Sequence, residues 1–184
     1  MVNNKTILLS TILIVPFTLN AAGSGSVNFS GKISSSTCNA TINYGGTNSG
    51  SSNATITLPV VQASSLSSPG SNTGETTFTL SISGCAAQGT VRAYFEQGAA
   101  VDSGSGRLNN TATTSAASDV QLELLDGLQN YTPIYIGNIN QNNAGFANIA
   151  GASITLPYAV RYYSTGTAGA GTVTSSVTYP IIYK

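Results

Sequence analysis

"ETTFTLSISGC", residues 75–85, sets Thr76, Phe78, Leu80 and Ile82 on one face of an extended chain and small hydroxyl residues on the other. A period of two is the signature of a strand with one buried face, and the run ends at Gly84 by delivering Cys85. The same grammar extends in both directions. Upstream lies "CNATINY" (38–44), with Ala40, Ile42 and Tyr44 on one face, and "NATITLPV" (53–60), with Ile56 and Leu58 alternating. Between residues 61 and 74 the sequence reads as a loop with room for one brief helical turn. Downstream, "TVRAYFEQ" (90–97) alternates Val91, Ala93 and Phe95. A low-complexity stretch (98–119) then leads to "VQLELLD" (120–126), where Val120, Leu122 and Leu124 oppose Gln121, Glu123 and Leu125. "YTPIYIG" (131–137) carries Pro133, which predicts an edge position because proline cannot donate to a ladder. A polar stretch with a small strand at its end precedes "SITLPYAVRYYSTG" (153–166) and "TVTSSVTYPIIYK" (172–184). No stretch has a helical period of useful length. Seven or more short strands divided by turn residues predict an all-β sandwich, for which an immunoglobulin-like topology is the common solution at this size.

The chain has 184 residues, enough for one domain with its own core. Only 7% of them are charged, six Lys and Arg balance six Asp and Glu, and polarity comes from Ser, Thr, Asn and Gly. A neutral chain has no field to steer it to nucleic acid, and 41% hydrophobic residues are too many for disorder. Lys5 followed by "TILLSTILIVPFTL" and the small residues of "NAAGSGS" reads as a secretory signal peptide over 1–22. Export puts Cys38 and Cys85 in an oxidising compartment, where two cysteines pair.

Catalytic chemistry finds little to stand on. The sequence contains no histidine and only these two cysteines, so the common general base and the common metal-ligand sets are missing, and no cofactor is expected. Glu123 and Asp126 read as surface charges flanking a strand, not as a separated acid–base pair. No serine stands in a G-x-S-x-G elbow, and "SGSGRL" (103–108) lacks the lysine and following helix of a phosphate loop. Asn28, Asn39 and Asn53 open N-x-S/T triplets, which an Asn/Ser/Thr-rich chain produces by chance. Of the adjacent pair Tyr162 and Tyr163, strand alternation sends one to the core and the other to the rim, against a shared sugar-stacking platform.

The two ends carry the functional signal. Near the start, "GSVNFSGKISSSTC" (25–38) alternates Val27, Phe29, Gly31 and Ile33, with a glycine where bulk is expected. At the other end, Val177, Tyr179, Ile181 and Tyr183 alternate through the last strand, which Pro180 interrupts by removing one backbone donor. Together with "FTLSISGC", "VQLELLD", "LPYAVRYYSTG" and "VTYPIIYK", in this order behind a signal peptide, these segments resemble the structural subunits of chaperone–usher pili, the type 1 fimbrial pilin family. The resemblance implies an incomplete immunoglobulin-like β-sandwich completed by a donor strand from a neighbouring subunit, a non-enzymatic protein of the fimbrium. It divides the chain into a signal peptide (1–22), an N-terminal extension (23–36) and a pilin domain (37–184). Val27, Phe29, Gly31 and Ile33 would be the donor strand, and Val177, Tyr179, Ile181 and Tyr183 the groove edge. Cys38 and Cys85 would staple the first strand to its neighbour. The implied partners are identical or related pilin subunits, a periplasmic chaperone and an outer-membrane usher, with no nucleic acid, on a route through the periplasm to the cell surface. A minor adaptor pilin and a free-standing secreted carbohydrate-binding module of immunoglobulin-like fold are the alternative readings.

Overall fold

A computed structural model describes residues 38–85, 89–143, 145–151 and 153–184 of the chain. The expected signal peptide and the extension carrying Val27, Phe29, Gly31 and Ile33 lie outside these described residues. The described residues form ten strands: β1 (Asn39–Tyr44), β2 (Thr47–Asn48), β3 (Asn72–Ser83), β4 (Thr90–Ala93), β5 (Leu108–Asn109), β6 (Val120–Asp126), β7 (Thr132–Pro133), β8 (Ala147–Asn148), β9 (Ser153–Ser164) and β10 (Ile181–Tyr183). One sheet runs β2-β1-β3-β9-β6-β5, with β7 also pairing β6, and the second runs β10-β4-β8. The only helical pieces among the described residues are single 3-10 turns at Ala63–Leu66, Gly127–Gln129 and Ile139–Asn143. The fold is an open, all-β, immunoglobulin-like sandwich.

Its spine is the antiparallel pair β3–β9, two strands of 12 residues in register from Asn72 against Tyr163 to Ser83 against Ser153. The ladder slips between Thr73 and Thr76, at Gly74, whose φ of +69° an L side chain rarely adopts. A Cβ there would stand 2.8 Å from the Tyr162 ring, so the bulge needs glycine on both counts. Phe78, Leu80 and Ile82 from β3, Leu156, Tyr158 and Val160 from β9, and Leu122 and Leu124 from β6 form one wall of the core. Ala93 and Phe95 of the facing layer form the other. Tyr158 joins them: its ring lies 5.7 Å from Phe78 and meets Phe95 edge-on at 5.2 Å. Its hydroxyl accepts the Ala93 amide at 3.3 Å, and burial pushes its pKa up to about 12.

Several sequence expectations are met and some are corrected. Pro133 sits in the two-residue edge strand β7, against Leu125. Tyr162 packs on the core, while Tyr163 turns to the opposite face beneath the Arg107 guanidinium, 3.5 Å from its ring. Residues 53–60 are extended but join no sheet among the described residues. Glu123 and Asp126 are not surface charges; they are 2% and 4% exposed. The second face of β6 is covered, and there Glu123 is held by Arg107 at 2.8 Å and Arg161 at 2.6 Å. Asp126 faces buried Arg92 at 3.6 Å, accepts the Leu128 amide at 3.0 Å, and is overlain by Gly145, where a Cβ would fall 2.2 Å from its Oδ2.

Cys38 and Cys85 form a disulfide across 47 positions of sequence, flanking the Asn39–Ser83 pair at the end of the β1–β3 ladder. Removing it with Cys38→Ser plus Cys85→Ser should lower subunit stability by about 4 kcal/mol on the chain-entropy argument, read from urea unfolding. Burial raises the Asp126 carboxyl above its ordinary range more strongly than Arg92 lowers it. A raised folded-state pKa gives a contribution that is complete below the unfolded value and lost as pH rises through the folded one. The parent should therefore gain stability relative to Asp126→Asn as pH falls through the carboxylate range; a pH-independent difference between the two contradicts this assignment.

Candidate functional site

The site is a gap between two extended segments that do not pair with each other. One edge is residues 53–60, which place Ile56 and Leu58 inward. The other is residues 173–180, where Val173, Ser175, Val177 and Tyr179 are half-buried and the residues between them are exposed. Beneath the gap lie Phe78, Leu122, Leu124 and Val160, and the hollow between floor and edges measures about 310 Å³. This is a largely apolar trough in the wall of a sandwich.

Backbone hydrogen bonds define its direction. In an extended chain the amide and carbonyl of one residue point to the same side, alternating along the strand. The carbonyls of Thr174, Thr178 and Pro180 accept from Thr111, Glu96 and Tyr94, at 2.8, 3.0 and 3.0 Å. These intervening residues thus face the strand beyond them. The amides and carbonyls of Val173, Ser175, Val177 and Tyr179 therefore turn to the gap, and none has a backbone partner among the described residues. Residues 52–61 likewise make no backbone–backbone bond with another described residue. Among the described residues, these two segments face each other over an apolar floor with no backbone ladder between them, an arrangement open to another strand or to aggregation.

Pro180 leaves that edge intact. Its carbonyl serves Tyr94, so its missing N–H is lost from the inner pairing with Tyr94 and not from the gap. Its position also explains why regular pairing resumes only at β10, where Ile181 stands against Ala93 and Tyr183 against Val91.

Tyrosine hydroxyls hold the unpaired segment in place. Tyr44 from β1 donates to the Thr57 carbonyl, Tyr162 from β9 donates to Pro59 at 3.2 Å, and Tyr179 reaches Ser52 at 2.8 Å. The Tyr179 ring also packs against Phe95, 6.1 Å between centroids, and burial raises its hydroxyl pKa. Side chains thus replace the ladder that residues 53–60 lack.

Of the four residues expected at the groove edge, Val177 and Tyr179 line the trough. Ile181 packs on the core from β10, and Tyr183 is 43% exposed at the end of that strand. Sequence reasoning missed that residues 53–60 form the opposite edge, although the alternation of Ile56 and Leu58 signalled an inward face. It also passed over Ser175, the one polar member of the inward row.

The type-1 fimbrial protein family (FimA: Type-1 fimbrial protein, A) matches residues 58–184. Among curated proteins, the chain is 36% identical to the major fimbrial subunit SMF-1 of Stenotrophomonas maltophilia, over 92% of this chain and 97% of that protein. It is 40% identical to the F17 fimbrial protein of Escherichia coli, over 87% of each. In fold it is similar to a subunit in a solved chaperone–usher pilus, with a TM-score of 0.57 and 15% identity, covering 92% of this chain and 100% of that one. The family is one of structural fimbrial subunits and not of enzymes. The chain belongs to the type-1 fimbrial protein family.

Proposed function

We propose that this protein is the major subunit of a fimbrial rod and polymerises by donor-strand exchange after chaperone-assisted export. Residues 1–22 direct secretion, residues 23–36 form a donor extension, and residues 37–184 form the accepting domain. A periplasmic chaperone fills the trough during transit to an outer-membrane usher. There the extension of the next subunit replaces the chaperone strand, and the growing fibre emerges at the cell surface to support adhesion. Strand addition of this kind draws affinity from main-chain hydrogen bonds and selectivity from pockets for alternate side chains.

The observation that carries the reading is the pair of facing, unpaired edges, 53–60 and 173–179, over the floor of Phe78, Leu122, Leu124 and Val160. An extended segment with inward residues at every second position is the shape that satisfies both rows at once, and Val27, Phe29, Gly31 and Ile33 have that spacing.

Phe29→Asp and Gly31→Val, introduced singly in the full chain, should leave the subunit folded in the periplasm yet exclude it from fibres. Electron microscopy of the cells and fractionation of shed fibres read the result, and normal polymerisation of both variants overturns the donor role. Val177→Asp on the accepting edge should leave a subunit with an intact extension that cannot receive one. Because the chaperone fills the same trough, the variant should be depleted from fibres of cells that also express the parent; incorporation along the fibre length contradicts the acceptor assignment.

A further inference from the structure

A hollow of about 220 Å³ lies where β6 ends, and it shares no lining residue with the trough. Buried Arg92 and Asp126 line it from within, while Gln129, Thr132, Tyr135 and Asn140 stand exposed around it. Its character is the reverse of the trough's. The trough is walled by aliphatic and aromatic side chains, and this hollow by a guanidinium, a carboxyl, amides, a hydroxyl and one aromatic ring.

That ring is held rigidly. Ile134 and Ile136 turn into the core, so alternation puts Tyr135 outside, 41% exposed. Its hydroxyl reaches the Ser103 and Gly104 carbonyls, each at 2.8 Å. Gly106 backs the ring closely: a Cβ there would stand 2.7 Å from its Cγ and Cδ1. An exposed aromatic fixed in this way binds without first losing side-chain freedom. The loop beside it is also over-determined. Asp126 accepts the Leu128 amide on its side chain at 3.0 Å and the Tyr131 amide on its carbonyl at 2.8 Å. Within that clasp Asn130 and Tyr131 take φ of +53° and +56°, two left-handed residues in succession that are not glycine. Strain of this kind gathers at ligand clamps.

The lining selects the ligand. One positive and one negative group face each other at 3.6 Å, so the hollow carries no net charge to attract an ion. That separation exceeds a hydrogen bond, and a ligand hydroxyl, donor and acceptor at once, suits a carboxyl and a guanidinium so placed. The volume is below the roughly 300–1,000 Å³ of sites that enclose drug-sized molecules. We propose that this hollow is a carbohydrate subsite for one neutral pyranose unit. The C–H face of the sugar packs on the Tyr135 ring, and its hydroxyls hydrogen-bond Asp126, Arg92 and the Gln129 and Asn140 amides. Because the hollow and the trough have separate walls, the subsite does not depend on the donor-strand reading. In a fibre it would recur once per subunit, and weak single sites in such an array sum to avidity.

Saturation-transfer NMR on the purified exported protein, as subunit or as fibre, tests this with glucose, galactose, mannose, N-acetylglucosamine and the acidic N-acetylneuraminic acid as probes. At least one neutral sugar should receive transfer, and more strongly than the acidic one. Tyr135→Ala should weaken binding of that sugar up to about tenfold, the loss of one aromatic contact. Gln129→Ala, at an exposed position that leaves the fold intact, should weaken it about fivefold, the loss of one hydrogen bond. Tyr135→Phe keeps the ring and removes only the hydroxyl, and should bind like the parent. Transfer from no neutral sugar, or preference for the acidic one, overturns the proposal. So does transfer unchanged in both alanine variants, which would place the sugar elsewhere on the chain or on another subunit. A loss in Tyr135→Phe as large as in Tyr135→Ala overturns the stacking role.

Discussion

An extended segment lying over an apolar floor must pair its amides and carbonyls or leave them unsatisfied, and residues 53–60 and 173–179 do not pair with each other. That one constraint organises the molecule. The floor of Phe78, Leu122, Leu124 and Val160 is built by the long central strands β3, β6 and β9, which pair in the order β3-β9-β6. Among the described residues, the segments 53–60 and 173–179 lie over that floor without a ladder between them. Tyr44, Tyr162 and Tyr179 hold the freer edge by its carbonyls, which keeps residues 53–60 beside the trough instead of letting them collapse onto it.

The scarcity of charge makes the few ion pairs structurally consequential. Glu123 lies under the outer face of β6 and is neutralised by arginines from β9 and from the loop before β5. Asp126 and Arg92 bring together the end of β6 and strand β4 of the second sheet. A buried pair is weak evidence for net stability, because desolvation opposes attraction, but leaving one partner alone is strongly unfavourable. These groups therefore restrict how the two layers can be arranged, and leave the trough itself free of charge.

Strand positions were legible where alternation was strong and both neighbours existed. The prediction of 120–126 coincides with β6, and 75–85 and 153–166 with most of β3 and β9. Residues 53–60 alternate just as clearly, yet form no sheet, because a ladder needs a partner and alternation reports only which face is apolar. Pro180 was legible as a break, but its consequence depended on which side its backbone faces. The burial of Glu123 was not legible at all: two arginines 16 positions before and 38 after it in sequence converge only once β6 and β9 are paired.

The sequence by itself determined the class of fold, the disulfide partners and the alternating rows at the two ends. Each of these follows from local composition, from period, or from the count of a residue type. Only the tertiary structure decided that residues 53–60 and 173–179 face each other across a gap, that Pro180 spends its missing donor on the inner side, and that the Ser175 hydroxyl is buried without a partner among the described residues. Those facts depend on which segments lie side by side, and neighbourhood across a sheet is set by long-range pairing that no short window of sequence contains.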